Sequence, residues 1–453
     1  MFLIPYIISI TTGYLVIALL FKHTRDYITW LHLVLSVGLG LGLNGLLTFI
    51  SILIVGKLQA PFVISLNLIF LAVLFLANRS ILKDIILKYK DTTLGLKTFA
   101  MIIYWALFIT GLSLFAAKYP WGGWDAWALW NTKTKFLVFA GANWTDILNT
   151  LNWHTQPDYP LLLPSINSWI HTLAKTPLLS TTFITAMLLS STIIMLLFIS
   201  LRRFINTKIA FLTSLLMGTN YFFILLSTAQ YADVLLALYI LASVVTLYLA
   251  FESPSLKKFI LPGLFLGLMT FTKNEGIVTS ILLLSISCIY LLITTSHKKQ
   301  ALKWCLTLSG SYFLCAWVTI YFKLVLTQSN PDILPMNGNA EYTFLNMHGL
   351  SITWSHLLKE WLRIQWGYIW FLLIVMTTIK LPSYFKKENL VPSLFLILYT
   401  GILLLIYLTT INFDLSWRLT HTLKRILFYL LPTIIFLNCY THWHIQLPKN
   451  EKS

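Results

Sequence analysis

The sequence predicts an all-α polytopic membrane protein with about 13 transmembrane helices. Hydrophobic residues make up 58% of the 453 positions and charged residues only 10%, whereas a soluble globular domain carries about 25% charged residues. Apolar runs close to the roughly 20 residues that span a bilayer recur along the whole chain. The 17 Trp and 21 Tyr are typical of proteins with aromatic belts at both membrane interfaces.

Thirteen apolar segments carry this prediction, and most of them are long enough to cross a bilayer as a helix. Two segments, 259–272 and 426–441, are short for that purpose. The predicted spans are 2–21, 31–56, 61–77, 97–117, 178–200, 209–228, 233–251, 259–272, 276–295, 304–327, 364–380, 391–410 and 426–441.

The distribution of Lys and Arg predicts the orientation in the membrane. Of the 32 such residues, 20 lie in one set of alternate connections and 11 in the other set, which is about twice as long, while Lys323 lies inside a span. The positive-inside rule places the first set in the cytoplasm. We therefore expect a multi-pass protein of the plasma (inner) membrane with its N-terminus outside and its C-terminus in the cytoplasm.

Two long connections, 118–177 and 328–363, belong to the outer set, and we expect both to carry short interfacial helices. Long loops in compact proteins are often functional. Since the cations lie in short connections between spans, the net charge of +17 indicates membrane orientation rather than a nucleic-acid partner.

The first long loop offers Asp125 as a candidate general base. Asp125 follows the end of a span by a few residues and lies between Trp124 and Trp127, with Trp121 just before them. A carboxylate among tryptophans at headgroup depth is partly desolvated, which suits proton transfer. The alternative is an aromatic belt that contains one solvated acid.

The same loop continues to His154 and Asp158, which precede a proline-flanked segment and a predicted interfacial helix at 161–174. These two side chains are candidates to bind a metal or a substrate hydroxyl. The alternative is that they only satisfy backbone groups of the loop.

Charged residues also occur at the outer ends of later spans. Tyr231 and Asp233 begin the seventh span, where an acid is favoured by the helix dipole in any case. Lys273 and Glu275 lie between two spans with almost no loop, and charges at that depth usually face a cavity or each other. An ion pair between them and a lysine that binds phosphate both remain open.

The last outer segment places Arg418, His421 and Arg425 on one face of a helix at i, i+3 and i+7. Positive charge on the outer side runs against the orientation bias, and bidentate arginines suit the phosphate or diphosphate of a lipid carrier. Snorkelling to ordinary headgroups is the alternative.

At these residues the chain resembles the membrane glycosyltransferases of the C-type (GT-C) fold, in particular the bacterial relatives of protein O-mannosyltransferases and the aminoarabinose transferase of lipid A. The resemblance covers the chain from about residue 97 onward, so that 1–96, with helices 1–3, forms an N-terminal addition to a catalytic module at 97–453. The stretches that carry it are GWDAWALWNTKTKF (123–136), PDYPLLLP (157–164), QYADVLLALY (230–239), TKNEG (272–276) and DLSWRLTHTLKRILFYLLP (414–432).

The resemblance implies Asp125 as the catalytic acid, Asp233 as a second acid, and Lys273 and Arg425 as phosphate-binding residues. The first loop has a single Asp where the family has an adjacent acidic pair, so no metal ligand is assigned and a divalent metal stays open.

The implied reaction transfers a sugar from a polyprenyl-phosphate-linked donor to a lipid, glycan or protein acceptor outside the cytoplasm, with inversion. The alternatives are a secondary transporter, a lipid-linked polysaccharide polymerase or ligase, and a non-enzymatic scaffold, which would not need the Asp125 loop.

Overall fold

A computed structural model describes residues 2–21, 30–88, 96–327, 347–409 and 415–444, and all regular structure within these ranges is helical. This confirms the predicted all-α polytopic class. The helices are α1 Ile4–Phe21, α2 Trp30–Val55, α3 Ala60–Lys88, α4 Leu96–Lys118, α5 Asn131–Phe139, α6 Leu162–Ala174, α7 Leu178–Phe204, α8 Thr207–Gly218, α9 Tyr221–Thr228, α10 Ala232–Glu252, α11 Leu256–Thr270, α12 Asn274–Thr294, α13 Lys298–Tyr321, α14 Met347–Trp361, α15 Ile369–Ile379, α16 Leu381–Tyr384, α17 Leu390–Thr409 and α18 Leu415–Trp443.

A helix occupies each of the thirteen predicted spans, but not all of these helices can cross a bilayer alone. In the described ranges nine are long and apolar enough, and the pair α8 and α9, bent by 66°, would be a tenth. The remaining three are α4, α11 and α15. The apolar part of α4 that is described, Ile103–Lys118, is short, and α11 and α15 have 15 and 11 residues.

The predicted N-terminal addition packs deeply into the rest of the protein through α2. Its helix approaches α10 so closely that a side chain at Gly42 would lie 2.3 Å from the Tyr239 hydroxyl oxygen. The Tyr239 hydroxyl in turn donates to the Gly38 carbonyl at 3.1 Å. Further along α2, the Phe49 ring packs at 4.9 Å from the Phe271 ring at the end of α11. Small residues on α2 therefore permit a close contact between the first helices and the later ones.

The first long loop is ordered into short helices, as the sequence predicts. Helices α5 and α6 and the 3₁₀ segments Gly141–Leu148 and Thr150–Thr155 lie within 118–177, and α6 occupies the predicted interfacial helix at 161–174. In the second long loop, residues 328–346 lie outside the described residues, and α14 begins directly after them.

Helix ends from separate parts of the chain gather at one end of the bundle. The starts of α10 and α12 lie there with the end of α13, whose last turns widen into a π-helical segment at Phe322–Leu326. A second π-helical segment, Ala126–Trp130, begins directly after Asp125. Such widened turns recur at functional sites, and the two segments border the polar cluster described next.

Candidate active site

Side chains from three distant segments meet at Arg425, about three turns into α18. The Arg425 Nε and Nη2 atoms donate to Asp233 Oδ2 at 3.1 and 2.7 Å, while Nη1 donates to Asp125 Oδ2 at 2.5 Å. All three nitrogen atoms of the guanidinium group are therefore engaged by carboxylates. The partners lie 192 and 300 positions away in sequence, so tertiary packing creates this contact.

Lys273 extends the same network. Its Nζ atom lies 3.0 Å from Asp233 Oδ1 and 2.7 Å from Glu275 Oε1, so the ion pair that the sequence left open does form. The rings of Tyr159 and Tyr429 each lie 5.9 Å from the same ammonium group, within range of cation–π attraction. Acids and cations thus alternate in one row, which we call the ionic chain: Asp125, Arg425, Asp233, Lys273 and Glu275.

Asp233 is the centre of the ionic chain and is completely buried. It is the second residue of α10, where the helix dipole favours a carboxylate. A buried charge is tolerated only when it is paired and hydrogen-bonded, and each of its two oxygen atoms pairs with a different cation. This geometry fixes Lys273 and Arg425 beside each other.

The first loop packs tightly against the start of α10, and this contact brings Asp125 to the ionic chain. The Gly123 amide donates to the Ala229 carbonyl at 3.0 Å. Gly122 has φ +74°, and a side chain at Gly123 would lie 2.1 Å from the Tyr231 hydroxyl oxygen. Both glycines are therefore needed where they stand, because a larger residue would prop the loop away from α10.

Tyr231 supports the guanidinium group from its face. The Arg425 guanidinium lies 4.7 Å from the centre of the Tyr231 ring, a cation–π contact. Burial raises the pKa of the Tyr231 hydroxyl to about 12, and the nearby Asp125 charge acts in the same direction. The phenol therefore stays neutral at physiological pH.

A second polar group adjoins the ionic chain at Asn274, the residue between Lys273 and Glu275. Its Nδ2 atom donates to Asp158 Oδ2 at 2.7 Å. Lys323, in the π-helical segment that follows α13, donates to the same Asp158 oxygen at 3.2 Å and to the Asp158 carbonyl at 2.5 Å. Asp158 is therefore a buried, doubly bound residue next to the ionic chain.

Lys133 completes this second group and is fully buried. Its Nζ atom donates to the carbonyls of Gln156 and Tyr159 at 2.7 and 2.9 Å. Burial lowers the pKa of the Lys133 ammonium to about 7; the Asp158 charge opposes this shift, and the Lys323 charge adds to it. A buried amine with this pKa is about half protonated at neutral pH.

Three predicted site residues, His154, Arg418 and His421, are not among the residues that form the ionic chain. His154 is exposed on the 3₁₀ segment Thr150–Thr155. Arg418 lies two turns before Arg425, with its guanidinium 5.5 Å from the Tyr407 ring centre and Nη1 buried without a hydrogen-bond partner among the described residues. His421 is exposed on the surface of α18.

Several residues of the cluster were not singled out by the sequence. Lys133 lies within a stretch that carries the resemblance, but nothing in its spacing indicates burial. Lys323 had a usable signal, since a cation inside an apolar span usually faces a functional interior. Asn274 and Tyr159 are adjacent to predicted site residues, and only the tertiary structure shows that they contact them.

The donor groups of the cluster do not suit a divalent metal. Among the described residues no group of three or more His, Cys, Asp or Glu is arranged to hold an ion. The carboxylates of the ionic chain alternate with Arg425 and Lys273. A metal could bind two of these carboxylates only if it displaced the cation that lies between them. The site instead offers guanidinium and ammonium groups, which bind anions.

The fold and the cluster together define a polytopic helical membrane protein with interleaved acids and cations at one end of its bundle. The family model of dolichyl-phosphate-mannose-protein mannosyltransferases matches residues 158–332, a segment that contains Asp233, Lys273 and Glu275 and ends before Arg425. The match confirms the predicted resemblance and supports a membrane glycosyltransferase of the GT-C kind. No curated protein and no solved structure matches the chain.

Proposed function

We propose that this glycosyltransferase moves a sugar from a polyprenyl-phosphate-linked donor to an acceptor on the non-cytoplasmic side of the membrane, with inversion at the anomeric carbon. The observation that carries the proposal is the ionic chain, in which Arg425 contacts Asp125 and Asp233 holds Lys273 beside Arg425. A leaving phosphate needs cations, and an attacking hydroxyl or amine needs a base. The ionic chain offers both within one row of contacts.

Asp125 is the base in this proposal. Its side chain is 30% exposed, whereas Asp233 is completely buried, so of the two acids that contact Arg425 it is Asp125 that is open to an acceptor. The Asp125 carboxylate takes the proton from the acceptor, whose oxygen or nitrogen forms the new bond to the anomeric carbon. The bond from that carbon to the phosphate oxygen breaks, and its electron pair stays on the phosphate beside Arg425 and Lys273.

Asp233 receives a different role from the catalytic one that the sequence suggests. Because its two oxygen atoms hold Arg425 and Lys273, it orients the cations that bind the phosphate. Its burial leaves no path for an acceptor to approach.

Donor binding and release of the base are linked through Arg425 in this mechanism. All three of its nitrogen atoms contact carboxylates, which leaves two of the five guanidinium N–H donors, so a phosphate that binds through more than these two competes with a carboxylate. The Asp125 contact is a single hydrogen bond to the more exposed acid, whereas Asp233 accepts two. The phosphate therefore replaces Asp125, and the freed carboxylate turns to the acceptor.

Glu275 and Asn274 suit the sugar rather than the phosphate. One carboxylate oxygen of Glu275 and the amide oxygen of Asn274 are buried without a hydrogen-bond partner among the described residues. Unpartnered acceptors favour donors such as sugar hydroxyls and repel phosphate oxygens. Tyr231 contributes through its cation–π contact with Arg425.

The test is transfer of a radiolabelled sugar from a polyprenyl phosphate by the purified full chain. Asp125→Asn should lower turnover by about 10²- to 10⁴-fold, the range that a general base contributes. Asp146→Asn is the matched control, since Asp146 is an exposed acid of the same loop, and it should transfer at the wild-type rate. Normal turnover by Asp125→Asn would overturn the assignment of the base.

The orientation has its own test. A cysteine at Asn143, an exposed position of the first loop, should react with an impermeant maleimide added to intact cells. Labelling that requires lysis would place this end of the bundle in the cytoplasm and contradict transfer on the outer side.

A further inference from the structure

We propose that Lys133 and Lys323 are positioning residues for glycosyl transfer, because they fix the turn Gln156–Tyr159 that sets Tyr159 against Lys273. The inference rests on the proposed function, which assigns Lys273 to the donor phosphate. It adds two residues that donate hydrogen bonds to this turn rather than to the ionic chain.

The turn Gln156–Tyr159 is held through its backbone. Lys133 donates to the Gln156 and Tyr159 carbonyls, and Lys323 donates to the Asp158 carbonyl between them. Gln156 has φ +49°, a left-handed conformation that is unfavourable for a residue with a side chain. Contacts from outside the turn therefore stabilise a backbone that would otherwise relax.

The two lysines reach the turn from opposite parts of the chain. Lys133 comes from α5 in the first loop, and Lys323 from the π-helical segment after α13. Lys323 also pairs with the Asp158 carboxylate at 3.2 Å. The turn is thus fixed between α5 of the same loop and the end of the membrane-spanning helix α13.

Tyr159 transmits the position of the turn to the ionic chain. Its ring lies 5.9 Å from Lys273 Nζ and 5.8 Å from the Trp130 ring. Since Lys133 binds the Tyr159 carbonyl, loss of that contact would free the ring to move away from Lys273. The ammonium would then lose one of its two aromatic neighbours, and its position would loosen.

The burial of Lys133 indicates that the amine of this side chain has a role, and not only its aliphatic part. An ammonium at this depth costs stability, and an apolar side chain would avoid that cost. Both hydrogen bonds of Lys133 go to backbone carbonyls of the turn. The amine therefore serves to hold these two carbonyls.

Steady-state kinetics of Lys133→Met in the purified full chain test the proposal. A binding group must be held to within about 0.5 Å of its productive position, so we expect the KM for the lipid-linked donor to rise roughly tenfold while kcat stays within about twofold. Lys135→Met, an exposed lysine two residues further along α5, is the control and should leave both constants unchanged.

A double-mutant cycle separates positioning from a merely structural effect. If Lys133 acts through Tyr159, the variant Lys133→Met with Tyr159→Ala should have the same KM as Tyr159→Ala alone. Multiplying effects, or a fall in kcat with an unchanged KM, would overturn the proposal. Should Lys133→Met fail to fold, Lys323→Met is tested in the same cycle with the same expectation.

Hydrogen exchange at the backbone amides of Asp158 and Tyr159 tests the clamp without any enzymatic assay. Exchange should become faster in Lys133→Met and stay unchanged in Lys135→Met, and equal rates in wild type and Lys133→Met would refute the clamp. Absence of transfer by the wild-type protein would instead refute the proposed function, so the two failures are distinguishable.

Discussion

The contact between Arg425 and Asp125 leads to a prediction that separates binding from turnover. In the proposed mechanism the donor phosphate displaces Asp125 from the guanidinium group. Asp125→Asn removes the competing charge, so the variant should bind a polyprenyl phosphate more tightly than wild type while it transfers sugar far more slowly. Loss of binding together with activity is what a simple loss of structure would give.

The magnitude follows from the geometry of this contact. A hydrogen bond to a charged group contributes about 1.5–3 kcal/mol net. The Arg425 and Asp125 side chains are 16% and 30% exposed, and solvent screening places the contact at the lower end of that range. Asn keeps an acceptor oxygen, so the substitution removes only the part of this contact that is due to charge, about 1 kcal/mol, which corresponds to about fivefold tighter binding.

Isothermal titration of the protein in nanodiscs with a polyprenyl phosphate that lacks a sugar measures this affinity. Asp146→Asn should bind as wild type does, because Asp146 is exposed elsewhere in the loop. Equal or weaker binding by Asp125→Asn would refute the proposed displacement, even if transfer were lost.

Three further predictions concern stability and packing. Asp233→Asn leaves two cations without their shared acid, and thermal denaturation should show a loss of about 3 kcal/mol or more; an unchanged melting temperature would contradict the pairing. The pKa of Lys133 is about 7 in the folded protein against 10.5 ordinarily, so the folded state binds fewer protons than the unfolded state between these values. The stability of the wild type relative to Lys133→Met should therefore rise across that window by up to about 1.4 kcal/mol per pH unit. A difference in melting temperature between the two proteins that stays constant from pH 6 to 10 would contradict this. Gly123→Ala should cost about 1–3 kcal/mol and lower transfer because its Cβ would lie 2.1 Å from the Tyr231 hydroxyl oxygen, whereas Gly111→Ala, which meets no atom within 4 Å, should behave as wild type.

The sequence predicted that several charged residues lie on the same side of the membrane, because they occur in the outer set of connections between spans. Asp125, Asp233, Lys273 and Arg425 each stood out against apolar surroundings, and an alternating topology placed all four at one end of the bundle. Their contacts in the structure agree with that expectation. The roles of these residues remain proposals.

The pairing within the cluster could not be read from the sequence. Whether Lys273 contacts Asp233, Glu275 or both depends on how α10 and α12 are rotated about their axes, and hydrophobicity that is uniform around a helix gives no information on rotation. The burial of Lys133 depends in the same way on how α5 lies against the turn Gln156–Tyr159.

The number of spans could not be read from the sequence for a related reason. Segments such as 259–272 and 364–380 are apolar, but the helices α11 and α15 have 15 and 11 residues. Hydropathy measures whether a segment avoids water and does not measure whether lipid or protein surrounds it. Buried helices of a large bundle and true spans therefore have the same signature.

The close contact of α2 with the later helices means that substitutions on α2 can affect the segment that carries Lys273. Phe49 on α2 packs against Phe271, two residues before Lys273, so the first helices buttress the segment that presents this cation. Deletion of residues 1–96 would remove the Phe49 ring from Phe271 and leave it packed against Phe322 alone among these rings. Substitutions far from any charged residue, such as a larger side chain at Gly42, should therefore alter sugar transfer from a distance.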